Sequence, residues 1–211
     1  MCFSEKVSWL TLIIGTITNI ISLIFLSKIP NPRVIIPIML IIGWQYALLM
    51  QIPDALAWRD LKSPYPGKLA FVLNTTQPLI AIMMVAFILH KLGVSLVRLV
   101  PAIIVCAVYI VYVIIEAFKT DYIVKPKGSC NNLEYIWWNN IPYVLYGLIM
   151  ILAVLAIPSI SYVVLTLTLF CGSIAATRLV VDKGCNPGSL WCWSVAGAGL
   201  ITALSSMVIL K

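Results

Sequence analysis

The chain has 211 residues, 62% of them hydrophobic and only 10% charged, with a formal net charge of +7. Soluble domains carry about 25% charged residues, so a chain this poor in charge excludes an aqueous fold and takes the bilayer as solvent for most of its length. Its Lys and Arg residues are scattered over short loops as membrane anchors, which points to a lipid partner and excludes nucleic acid.

A window of about 19 residues predicts an all-α polytopic bundle of seven transmembrane helices, forming a single domain over 1–211. Val7–Leu26 is longer than a signal-peptide core and lacks a small-x-small cleavage site, so it is expected to be the first span. Val34–Trp58, Lys68–His90 and Leu96–Phe118 follow, separated by the turn-like stretches KIPNPR, RDLKSPYPGK and HKLGVSLVR. Thr120–Asn140 is the longest polar interval and is expected to be a loop. Beyond it lie Ile141–Ile157, Pro158–Val181 and Trp191–Leu210. The break at Ile157-Pro158-Ser159 is required by length, because about forty continuous helical residues would run ~60 Å, twice a bilayer core. Pro101, Pro142 and Pro158 fall at the start of spans, where proline is tolerated. Pro53 and Pro78 fall inside spans and should kink them or free a carbonyl.

Call the N-terminal side of the membrane side A. Threading seven spans places nine Lys and Arg residues on side A and five on side B, which favours a cytoplasmic side A. The cysteines argue the other way. Cys130 and Cys185 share side A and can form a disulfide if that compartment is oxidising, and are otherwise small buried thiols. Loops 1 and 3, on side B, are short, basic and free of acids, as suits a cytoplasmic face. The chain is expected to be a multi-pass integral membrane protein, in a membrane the sequence does not name.

The same threading gathers polar residues on the side A half. Gln51, Asp54 and Trp58 follow a three-to-four spacing and share a helical face near the end of span 2. On span 3, Asn74 and Gln77 lie roughly 9 and 13 Å in from Lys68. Glu116 and Arg178 occupy the last turns of spans 4 and 6. Charged groups in hydrocarbon are costly and usually face a bundle interior or a wet cavity. The expectation is a ligand-binding vestibule of Gln51, Asp54, Trp58, Asn74, Gln77, Glu116 and Arg178, rimmed by Tyr65 and the aromatic run Tyr135, Trp137, Trp138. The alternative is that Glu116 and Arg178 snorkel and that Asn74 and Gln77 join helices. Gln45, about 20 Å from Trp58, is expected to be an interhelical donor.

Several chemistries lack their residues. The last span, Trp191–Leu210, has no lysine for a retinal Schiff base, and the single His rules out bis-histidine haem and a multi-histidine zinc site. There is no CxxC, and the His lies at the opposite face from the carboxylates, so no Ser-His-Asp set forms. No cofactor and no catalytic residue is assigned, and an enzyme is the minority reading.

Met1-Cys2-Phe3-Ser4, the Gln51, Asp54, Trp58 pattern and Gln77-Pro78 together resemble a family of small multi-span proteins from bacteria, protists and large DNA viruses that begin MCFS. The resemblance covers roughly the first ninety residues and implies an architecture without an established activity. The family pattern often has Glu at the place of Asp54 and a His near Asn74, and the Asn here weakens a metal or proton role for that position. A looser analogy, to seven-helix carriers that hinge on Pro-Gln pairs, meets a reversed order in Gln77-Pro78 and no internal repeat.

Three functions fit these residues. A small-solute transporter or channel would use the side A vestibule, with Pro53 and Pro78 as hinges. A receptor-like sensory bundle would bind its ligand there and signal through a partner. A structural membrane protein would use the polar groups to pack helices, and the small residues Ala196 to Gly199 permit close contact within the bundle or between protomers of a homo-oligomer.

Overall fold

The computed structural model describes residues 4–127, 132–137, 141–180 and 188–210. Met1 to Phe3, Cys130, Trp138, Cys185 and the side chain of Arg178 lie outside the described residues, and with them the expected Cys130–Cys185 pairing.

Helix α1 spans Glu5–Leu26 and is started by Ser4, whose side chain accepts the Val7 N–H at 3.2 Å. Its buried face is Ser8, Thr11, Gly15, Asn19 and Ser22, while Ile13, Ile14, Ile17, Ile20, Ile21 and Ile24 point outward. That is the inverse of a soluble amphipathic helix. Small and polar residues inside with branched aliphatics outside are what helices adopt when the surroundings are themselves apolar, because interior contact then comes from close backbone approach and interhelical hydrogen bonds.

The second apolar segment is two helices, α2 (Ile35–Leu48) and α3 (Gln51–Arg59). Pro53 supplies no N–H for the Leu49 carbonyl and its ring crowds that group. Leu49 O instead accepts from Ile52 N at 3.0 Å, and Met50 N donates to Ala47 O at 3.3 Å. The third segment breaks the same way into α4 (Tyr65–Thr75) and α5 (Gln77–Lys91). Pro78 removes the donor for the Asn74 carbonyl, and Thr76 sits at the joint with its N–H on Val72 O at 3.1 Å. Both interior prolines therefore act as the sequence predicts.

Helix α6 covers Val100–Lys119 with Pro101 in its first turn. Between Thr120 and Asn140 the expected loop is replaced in part by an antiparallel hairpin, β1 (Val124–Lys127) and β2 (Asn132–Tyr135), with Val124 opposite Tyr135 and Lys125 opposite Glu134. Opposite charges in register add modestly to such a pair. Helices α7 (Tyr143–Leu155), α8 (Ile160–Val180) and α9 (Gly188–Ile209) complete the chain. The turn at Ala156–Ser159 is the break that length required.

The fold is thus all-α apart from one small hairpin. Four helical stretches are long and apolar enough to cross a membrane: Glu5–Leu26, Pro32–Arg59, Tyr65–Lys91 and Leu96–Lys119. Three shorter apolar helical stretches, Tyr143–Leu155, Ile160–Gly172 and Val195–Ile209, accompany them.

Helix α9 packs against α1 and α2, and α5 joins α2 to α7. Close approach is enforced at two glycines. A Cβ on Gly15 would stand 2.5 Å from Leu48 Cδ2, and one on Gly199 would stand 1.8 Å from Asn19 Oδ1. Ala196 and Gly199 of α9 therefore serve contacts inside this chain, whereas Gly197 has nothing within 4 Å of an added Cβ. Between these glycines Gln45 holds α1 to α2 from both ends of its amide, accepting from Asn19 Nδ2 at 2.9 Å and donating to Thr16 Oγ1 at 3.0 Å. It is an acceptor as well as the donor anticipated.

The segment leading into the hairpin meets α4 at Gly67, where a Cβ would lie 1.9 Å from the Tyr122 carbonyl oxygen. Gly67→Ala should lower stability by about 1–3 kcal/mol through overpacking, seen as a reduced thermal midpoint of the purified protein. Gly147→Ala is the control. It has nothing within 4 Å of its added methyl and should leave the midpoint unchanged or raised, since Ala is the better helix former.

Candidate functional site

Two polar layers lie one below the other, starting from the side A end. In the first, Gln51 and Asp54 face inward from α3, at 2% and 0% exposure. The hairpin closes over them. Tyr135 of β2 reaches down and its hydroxyl donates to Asp54 Oδ1 at 2.7 Å. Trp137, also fully buried, meets Phe71 of α4 edge-on at 5.3 Å, and Tyr122 meets the same ring edge-on at 5.5 Å. Such aromatic contacts add about 0.5–1.5 kcal/mol each beyond burial. Tyr122 is further held by its hydroxyl on Ala117 O at 2.7 Å and lies under the Lys68 ammonium at 5.8 Å. Burial pushes the Tyr122 phenol above its ordinary pKa, which keeps it a donor.

Residues 122–127 and 132–137 therefore form a cap, with Tyr135 as its polar latch and Phe71 as the anvil under its aromatic rings. At the rim of this end Arg59 pairs with Glu5, through Nε at 3.0 Å and through a second guanidinium nitrogen. That pair is exposed, so solvent screens it and it adds little to stability.

The second layer lies at the helix joints. Tyr46 of α2 and Thr76 share a hydrogen bond of 2.5 Å, so the two broken segments touch at their breaks. Thr76 Oγ1 also lies 2.6 Å from the Val72 carbonyl, and Thr75 Oγ1 donates to Phe71 O at 2.7 Å. The hydroxyls serve carbonyls around a joint where Pro78 has disturbed the ladder. On the other side of the joint the Tyr146 hydroxyl of α7 donates to Gln77 Oε1. Gln77, Tyr46 and Tyr146 border a cavity of about 90 Å³ between α2, α5, α7 and α8.

The expected site residues thus divide. Gln51, Asp54 and Asn74 are buried, and Asp54 lies beneath Tyr135 of the cap. Trp58 packs against the core from partial burial. Gln77 lies on the cavity wall. Glu116 is half-buried on the last turn of α6, its carbonyl accepting from Thr120 N at 3.0 Å and its carboxylate without a hydrogen bond or ion pair to a described residue. Arg178 has its backbone on α8 and its side chain outside the described residues. His90 is exposed at the far end of α5.

Sequence reasoning did not single out Tyr46, Thr76 and Tyr146, and placed Tyr135 on a rim instead of against Asp54. A tyrosine inside an apolar run has no positional signature, so nothing in the sequence marks Tyr46 or Tyr146. Tyr135 did have a signal. Leu133, Tyr135 and Trp137 alternate with less buried neighbours, a period of two that belongs to a strand. Among the described residues no group of three or more His, Cys, Asp or Glu could hold a metal ion. The chain matches no protein-family model, and comparison with curated proteins and with solved structures finds no match.

Proposed function

We propose that the chain is a seven-pass integral membrane protein that acts as a small-solute carrier, with its working site at the adjoining breaks of the second and third passes. One observation carries the reading: the breaks made by Pro53 and Pro78 lie against each other through Tyr46 and Thr76, with a cavity and a buried polar layer beside them. Discontinuous helices near mid-membrane are where carriers build sites, because broken backbone supplies polar groups and absorbs the change between inward and outward states. In this reading α7, α8 and α9 complete the seven passes begun by the four long apolar stretches. The Tyr135–Asp54 latch would hold the side A end shut, and Gln77 would face the solute.

The topology has a direct check. In a cysteine-free background, Lys28→Cys, Lys91→Cys and Ser159→Cys should react with an impermeant maleimide from one side of the membrane, and Lys62→Cys and Lys125→Cys from the other. Labelling of Lys28→Cys and Lys62→Cys from the same side would refute seven passes in this order.

For the carrier reading, Gln77→Ala in reconstituted vesicles should cut uptake of the transported solute about tenfold or more, as loss of a hydrogen bond in a low-dielectric site requires. Asp54→Asn and Tyr135→Phe should change the rate by disturbing the latch. Tyr135→Phe should also reduce stability by about 1–3 kcal/mol, as removal of a donor from a buried carboxyl does. If Gln77→Ala and Asp54→Asn both leave uptake unchanged for every solute the wild type moves, the carrier reading is lost.

A further inference from the structure

Two hollows flank the joint at Thr76. The inner one, about 90 Å³, is bordered by Gln77, Tyr46 and Tyr146 and otherwise mostly by aliphatic and thioether groups, including Met84 and Met150. At ~15 Å³ per water-sized group it has room for about six such groups. Methionines suit a wall that must adapt to its contents. The outer hollow, about 180 Å³, lies between the α4–α5 joint and α6 and is bordered by Thr75, Thr76 and Tyr109. Its other borders include Leu79, Ile110 and Ile114, which are exposed on the apolar exterior of the bundle. The rings of Tyr109 and Tyr146 meet edge-on at 6.3 Å, one belonging to each hollow, so this pair is the partition between them.

The borders specify a chemistry. Neither hollow is bordered by an Asp, Glu, Lys, Arg or His. A charged ligand would lose its hydration there and gain no countercharge. Gln77 has its Oε1 occupied by the Tyr146 hydroxyl, while its Nε2 has no hydrogen-bond partner among the described residues. That leaves two N–H donors on a cavity wall for an oxygen acceptor. Meanwhile Gln51 and Asp54, on the water-facing side, are sealed under the cap. The open approach to the joint is from the apolar flank.

We infer that the ligand is an uncharged amphiphile dissolved in the bilayer, which enters at the outer hollow, passes the Tyr109–Tyr146 partition and lies with its oxygen on Gln77. This rests on the carrier reading for its consequence, transport, but not for the binding itself. Rotation of the Tyr146 ring, already anchored at Gln77, would open the partition and shift the Gln77 amide together.

The test uses the full chain in lipid nanodiscs and an octanol bearing a diazirine, with adducts mapped by mass spectrometry. Adducts should fall on residues bordering the two hollows. Excess 1-octanol should suppress them, whereas glucose and glycine should not. Gln77→Met, which keeps the side-chain volume, should reduce inner-hollow labelling about fivefold, the loss expected for one hydrogen bond. The wild-type competition stands by itself if that variant fails to fold. Adducts confined to the outward isoleucines of α1 and α6, or suppression by glucose and not by octanol, would overturn the inference. Labelled hollows in a protein that moves no solute would keep the inference and remove the carrier reading. Unlabelled hollows alongside solute uptake that octanol does not inhibit would do the reverse.

Discussion

In an apolar solvent a backbone N–H or C=O must find its partner within the protein, and a helix does this for every residue except where proline intervenes. That constraint organises this chain. Most of its length is helix whose outer surface is Ile, Leu and Val, and the ladder is interrupted inside a segment at Pro53 and again at Pro78. Each interruption leaves carbonyls whose partners are missing or displaced. The two interruptions lie side by side, and hydroxyls from Tyr46, Thr75 and Thr76 gather at them. The interrupted ladder and the gathered hydroxyls occupy the same place in the bundle: Thr75 and Thr76 bond back to carbonyls of their own helix, and Tyr46 meets Thr76 across the joint.

On α1 the packing is of the kind an apolar surrounding favours, with small and polar residues on the inner face that let helices approach. Gly15 and Gly199 bring α1 against α2 and α9, and Gln45 bridges Thr16 and Asn19 across the seam. These contacts close the α1, α2 and α9 side of the bundle, while the cavity and the groove lie around α5, α6 and α7.

The cap is a second long-range association. Its rings rest on Phe71 and its latch is Tyr135 on Asp54, so the carboxyl singled out by its burial cost is met by a group from a distant part of the chain. Asp54 is buried against Tyr135 of the hairpin, whereas Gln77 lies on the wall of a cavity.

Much of this could be read from the residues. Hydrophobicity marked the apolar segments, the combined length of the fifth and sixth spans forced a turn at Pro158, and Pro53 and Pro78 announced the joints. The three-to-four spacing put Gln51 and Asp54 on one buried face. The hairpin escaped notice because its strands are four residues each, one of them containing Pro126, and such short runs barely register against a loop. Tyr46, Tyr135 and Tyr146 were invisible as partners for a different reason. Their bonds join residues 30 or more apart, and a phenol that reaches about 6 Å from its helix leaves no trace in periodicity. Sequence alone determined what each segment is and where it breaks, since helix formation in an apolar solvent is a local matter of hydrophobicity and backbone hydrogen bonding. Only the tertiary structure decided which polar groups meet, because that depends on how whole helices rotate and pack against one another.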